Sequence, residues 1–138
     1  YELPEQPALG DFELMDELVR RWGAVGRLGV MVGVDGPQRC TDRLLELTGA
    51  FVARHGVGFH THLLEAKTQA LVGAAGAEGL VARLERHGLV GPRSSFAHFV
   101  WGTEEEIELL AARGASVVHN PGSNLLLGSG IAPVARMR

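Results

Sequence analysis

The residues with the clearest chemical potential lie in one short stretch, Phe59-His60-Thr61-His62-Leu63-Leu64-Glu65, which follows Gly56-Val57-Gly58. Read as the end of a short strand, it places His60 and His62 on one face and Thr61 on the other, because strand side chains alternate. Two imidazoles on one surface can meet a metal ion. Glu65 falls three residues after His62, where strand gives way to loop and a carboxylate can reach back over an open coordination position. A metal ligand with a nearby Glu suits a metal-activated water and its proton acceptor. Taken alone, the pair fits equally well two histidines that happen to share a strand.

The surrounding elements decide between these readings. Tyr1 to Gly10, with Pro4 and Pro7, reads as an extended lead-in, and Asp11 as the N-cap of an amphipathic helix over residues 11–23 carrying Leu14, Leu18, Val19 and Trp22. A β-branched run from Arg27 to Val34 reads as a buried strand closed by Asp35-Gly36-Pro37. Thr41 or Asp42 caps a second helix that ends at His55-Gly56, directly before the strand with the two histidines. Residues 66–77 are Ala- and Gly-rich and soft, and a helical stripe resumes at Leu80, Val81 and Leu84. A third strand is expected over Ser95–Trp101, then a capping box at Thr103-Glu104-Glu105-Glu106 opening a helix to Gly114. A fourth strand spans Ala115–His119 and is ended by Asn120-Pro121-Gly122-Ser123-Asn124, with one more helix beginning at Pro133. Strands alternating with helices make a parallel α/β arrangement.

In that frame His62, His98 and His119 each stand at the C-terminal end of a strand, with Asp35 in the equivalent place after the first. Strand C-termini converge on one mouth in a (β/α)8 barrel, and catalytic residues come from several of them. A core does not require three such histidines. No glycine-rich phosphate loop follows the first strand, and Gly128-Ser129-Gly130 lacks the lysine of a P-loop.

Composition sets the outer bounds. The 138 residues, 46% apolar and 21% charged, carry a net charge of −3 with basic residues scattered singly or in pairs. This gives no footprint for nucleic acid or an anionic membrane, so the expected partner is a small molecule. No apolar run approaches the roughly 18 residues of a membrane span, and no basic-then-apolar leader opens the sequence. The single cysteine, Cys40, makes no internal disulfide, so a reducing cytoplasm is the expected compartment. A nucleophilic role for Cys40 has no support from a neighbouring His.

Four ordered motifs carry a family likeness: His62-Leu63-Leu64-Glu65, Ala97-His98-Phe99-Val100-Trp101, Glu106-Ile107-Glu108-Leu109-Leu110-Ala111, and the long segment from Val118-His119-Asn120-Pro121-Gly122-Ser123-Asn124 to Pro133-Val134. From about residue 28 onward the chain resembles the amidohydrolase superfamily, in its cytosine/guanine deaminase and triazine chlorohydrolase branch. The resemblance implies a (β/α)8 TIM barrel of which residues 1–138 form a partial domain, about half the barrel, covering strands four to seven. It implies His62 as ligand of one divalent metal, most often zinc with iron as the alternative. It implies Glu65 as proton shuttle and His98 as the catalytic residue that positions water and substrate. His119 and Asn120 match a pocket-lining segment, Trp101 falls among the residues that would read the substrate, and Ser123 and Asn124 hold the loop. His60 has no fixed family role and is expected one layer below His62.

The family also uses a His-x-His pair on the first strand and an Asp on the eighth, and the sequence has neither stretch. One could read His60-Thr61-His62 as that pair, but the spacing to Glu65 and the order of the later motifs argue against it. The resulting expectation is a metal-dependent hydrolase attacking a C–N or C–halogen bond of a small nitrogen heterocycle, in a protein that is larger or homo-oligomeric. Cyclic amides and N-acyl amino acids are alternative substrates on the same scaffold. A non-catalytic barrel fragment acting in assembly is the alternative of another class.

Overall fold

The computed structural model describes residues 5–23, 25–76 and 78–138. Ten elements follow one another: α1 (Glu5–Trp22), β1 (Met31–Val34), α2 (Asp42–His55), β2 (Gly58–Leu63), α3 (Lys67–Ala75), α4 (Leu80–Arg86), β3 (Ser94–His98), α5 (Glu104–Ala112), β4 (Ser116–Val118) and α6 (Pro121–Leu126). The four strands form one parallel sheet in the order β1-β2-β3-β4.

Local chemistry explains the boundaries. The Thr41 hydroxyl accepts from the Leu44 N–H at 3.1 Å to start α2, and Gly56 ends it in the left-handed region, φ 64°. Thr103 and Glu106 make a reciprocal capping box at α5. Gly49 is required for a different reason: a Cβ there would lie 1.9 Å from the His87 carbonyl oxygen, where α2 meets the end of α4. Apolar side chains on one face of the sheet, including Phe59, Leu63 and Phe96, pack against Leu45 of α2, Val81 and Leu84 of α4 and Leu110 of α5.

The opposite face is open. Register pairs His62 with Ala97 and Ala97 with Val118, and His60 with Ser95. Met31 and Val118 on this face are 50% and 41% exposed. Parallel sheets are normally buried on both sides, and the two edge strands also expose unpaired backbone groups.

Several boundaries differ from those read in the sequence. The helix expected from Asp11 begins at Glu5, and the remainder of the extended lead-in, residues 1–4, lies outside the described residues. Pro7 does not prevent this, because first-turn N–H groups have no intrahelical partner. Leu14, Leu18 and Trp22 are exposed, while Phe12, Met15 and Val19 pack on Phe51, Val57 and Val32. The buried stripe is thus rotated by about a residue, because Phe12 reaches Phe51, ring centroids 5.7 Å apart. β1 begins at Met31 rather than Arg27, and β3 stops at His98 rather than Trp101, since His98 and Phe99 take φ 75° and 48°. The soft stretch forms α3, with Ala77 outside the described residues. The expected loop after the fourth strand is α6, begun by Pro121 at its first turn. The helix expected at Pro133 is a single 3₁₀ turn, Val134–Arg136.

An ionic staple ties α4 to the loop before α2. Arg83 donates to the Asp42 carboxylate at 2.7 Å and to the Pro37 and Cys40 carbonyls at 2.9 and 2.7 Å. Arg86 donates to Asp42 at 3.1 Å. These guanidinium bonds, led by Arg83, hold the Asp42 carboxyl down at about 2. A folded-state value below the unfolded one contributes stability above about pH 4 that is lost as pH falls through about 2. Asp42→Asn should therefore lower stability on the order of 1 kcal/mol at neutral pH, given its exposure. The gap between variant and wild type should close in thermal melts taken toward pH 2; a gap independent of pH would contradict the assignment.

Candidate metal and proton-transfer site

At the C-terminal end of the sheet, β2 and β3 bring three chemical groups together. The His62 and His98 rings lie with centroids 5.4 Å apart and planes at 34°. Strand alternation alone would separate them, because Leu63 rather than His62 is the register partner of His98. The left-handed turn at His98 takes its side chain out of that alternation. Leu64 makes a matching turn, φ 49°, and backbone bonds Phe99 N–H to Leu63 O and Trp101 N–H to Leu64 O, both 3.0 Å, tie the two strand ends. Non-glycine residues held at positive φ cost on the order of 1–3 kcal/mol each and cluster at functional sites.

Each ring is anchored through Nδ1. His62 Nδ1–H donates to the Asp35 carbonyl at 2.9 Å, which leaves Nε2 with a free lone pair on a side chain 49% exposed. The Asp35 carboxylate is farther, 3.8 Å, and is engaged by Arg39 at 2.7 Å. His98 Nδ1 meets the Oδ1 of Asn124 at 2.7 Å, and its Nε2 stands 3.6 Å from Glu65 Oε1. That separation exceeds a direct hydrogen bond but suits one bridged by a shared small group. The Glu65 N–H donates to Gln69 Oε1 at 2.7 Å, fixing the start of the loop.

The other residues singled out in the sequence are placed differently. His60 lies on the His62 face and pairs with Ser95 Oγ at 2.7 Å, away from the mouth. The Trp101 indole N–H donates to Ser129 O at 2.9 Å, with Lys67 Nζ 5.7 Å from a Trp101 ring centroid. Asn120 Oδ1 is buried without a hydrogen-bond partner. The structure does not bring His119 to the His62–His98 group; it lines a groove with Phe99, Val117 and Met137. Burial pushes the Cys40 thiol up, and Cys40 Sγ–H points to Gly36 O at 3.4 Å. That thiol stays protonated at neutral pH, against a nucleophilic role. Asn124, for which the family resemblance implies only a loop-holding part, is the residue that anchors His98. It lies 26 residues from His98, and no local period links the two.

A metal ion is only partly provided for. Among the described residues no three His, Cys, Asp or Glu side chains gather closely enough to hold one. The donor that is present has the right chemistry: an imidazole whose Nδ1–H is satisfied by a backbone carbonyl is the usual arrangement of a ligating His. His62 therefore fits as one ligand of a set the described residues do not complete.

The model of the amidohydrolase family matches residues 3–137. The chain belongs to that family. As a family member it is 40% identical over 124 residues to a 5-methylthioadenosine/S-adenosylhomocysteine deaminase of Desulforudis audaxviator (strain MP104C), covering 88% of this chain and 29% of that protein. It is 37% identical over 136 residues to a 5'-deoxyadenosine deaminase of Methanosarcina barkeri, covering 96% and 32%. Among solved structures it superimposes on guanine deaminase from Bradyrhizobium japonicum with a TM-score of 0.87 at 25% identity, covering 94% of this chain and 29% of that one. It also matches, with a TM-score of 0.80 at 31% identity, an adenosine deaminase from Xanthomonas campestris with bound zinc, covering 91% and 29%. The chain thus spans about a third of the length of the relatives it matches, and its four-stranded sheet corresponds to part of an amidohydrolase barrel. No helix of the described residues is long and apolar enough to cross a membrane.

Proposed function

We propose that residues 1–138 are the portion of an amidohydrolase barrel containing strands four to seven, and that the complete protein is a zinc-dependent aminohydrolase. Its substrate would be the exocyclic amine of a purine base or nucleoside, released as ammonia. The observation that carries this reading is the gathering of His62, His98 and Glu65 at the ends of adjacent strands, with both imidazoles tied back through Nδ1. The deaminases among the relatives support the substrate class.

His62 would supply one ligand through Nε2, with the other donors drawn from parts of the barrel not in this chain. Zinc is favoured over iron by the bound ion in the Xanthomonas deaminase. Such an ion, when bound, supplies a water activated at neutral pH. Glu65 takes a proton from the attacking water and returns one to the departing amine. Water adds at the ring carbon, the C–N bond breaks, ammonia leaves and the carbon keeps the oxygen. His98 holds the water and substrate through Nε2, on the side facing Glu65. Trp101 and Asn120 form the substrate wall.

The open sheet face and the exposed Leu14, Leu18 and Trp22 support a further part of the reading: the sheet is completed by more barrel, and α1 packs in a homo-oligomer. Without those partners the 138-residue chain should associate or melt without cooperativity. A monodisperse monomer with a sharp thermal transition would overturn the partial-domain reading.

In the complete protein, Glu65→Gln should keep its zinc by elemental analysis and lose roughly 10²–10⁴-fold in the rate of ammonia release from purine nucleosides. Unchanged turnover would refute the proton-shuttle role.

A further inference from the structure

Asn124 is 1% exposed, sits on the short helix after β4, and makes one side-chain contact of consequence: its Oδ1 lies 2.7 Å from His98 Nδ1. An amide oxygen has no proton to give, so the ring nitrogen must be the donor. We infer that Asn124 is a positioning residue that locks His98 in the Nδ1–H tautomer and so presents Nε2 as a bare acceptor toward Glu65. This rests on the reading of His98 as a residue of the aminohydrolase site.

The surroundings make the lock rigid. Asn124 N–H donates to Asn120 O at 2.9 Å and its carbonyl accepts from Ser129 N–H at 2.8 Å, so the backbone that carries the side chain is held on both sides, and His98 is the side chain's one hydrogen-bond partner, its Nδ2 being buried without any. His98 itself is 4% exposed, so no bulk water competes for Nδ1. The left-handed φ of 75° at His98 removes the ring from the alternation of β3, and a ring placed by such a turn needs a second anchor. Asn124 is that anchor, and it comes from the fourth strand's loop although His119 of the same loop faces elsewhere. The chemical choice is informative. A carboxylate in this place would favour the imidazolium, whereas a neutral amide fixes the tautomer without adding charge. With Nδ1 occupied, Nε2 at 3.6 Å from Glu65 Oε1 accepts the proton of a water or substrate N–H lying between them.

Imidazole 15N NMR on the complete protein at pH about 8 tests this directly, because protonated and bare ring nitrogens differ in shift. The wild type should show His98 as Nδ1–H with bare Nε2. Asn124→Leu, which removes the acceptor, should move His98 to a mixture or to Nε2–H, and Asn124→Asp, which keeps an oxygen in place, should retain the proton on Nδ1. In ammonia release the Leu variant should lose about 10- to 100-fold in kcat with little change in KM. A wild-type Nε2–H tautomer, or retention of the pure Nδ1–H form in a folded Leu variant, would overturn the inference. Should Asn124→Leu fail to fold, the wild-type spectrum and Asn124→Ser, whose hydroxyl is too short to reach, carry the same decision. A wild type that releases no ammonia from any purine would remove the substrate reading while the tautomer measurement still decides for Asn124.

Discussion

The candidate site depends on one constraint: the register of β2 against β3 combined with the departure of His98 from extended geometry. Pairing of Leu63 with His98 sets the two strand ends level. Left at that, His62 would face the open side of the sheet and His98 the packed side. The positive φ at His98 and Phe99, opposite the one at Leu64, brings the rings to 5.4 Å. Strain of this kind persists only where surrounding structure over-determines it. Here Phe99, fully buried among the helices, and the two backbone bonds to Leu63 and Leu64 provide that support. The core on one side of the sheet is thus what fixes the chemistry at its end.

Much of the arrangement was legible from residues. The shared face of His60 and His62 follows from a period of two, the caps at Thr41 and Thr103 from side-chain chemistry, and the parallel sheet from strands alternating with helices. What escaped was set by tertiary contact. The rotated face of α1 follows from Phe12 finding Phe51, which no helical period in residues 11–23 specifies. The end of β3 at His98 reflects a backbone turn in a stretch whose β-branched and aromatic residues read as continuous strand. The contact of Asn124 with His98 was invisible because it joins the short helix after β4 to the end of β3, 26 residues away. His119 is the instructive case: alternation from Val117, which packs with the core, already places it on the helix side rather than the inner face.

The two faces of the sheet differ in what covers them. The helix side is a closed apolar core. The inner side carries His60, His62, Ser95 and Val118 with little over them. Among the described residues the sheet leaves one face and two edges uncovered, where parallel sheets are normally covered on both sides, and no three His, Cys, Asp or Glu side chains gather closely enough to hold a metal ion. His62 lies on that uncovered side, and the four strands correspond to part of an amidohydrolase barrel.

The most direct test of the central claim is a crystal structure of the complete protein with data collected at the zinc absorption edge. The expected result is an anomalous peak about 2.0–2.1 Å from His62 Nε2, with His62 Nδ1 still bonded to the Asp35 carbonyl. A zinc peak elsewhere, or one on Nδ1 with that bond broken, would contradict it.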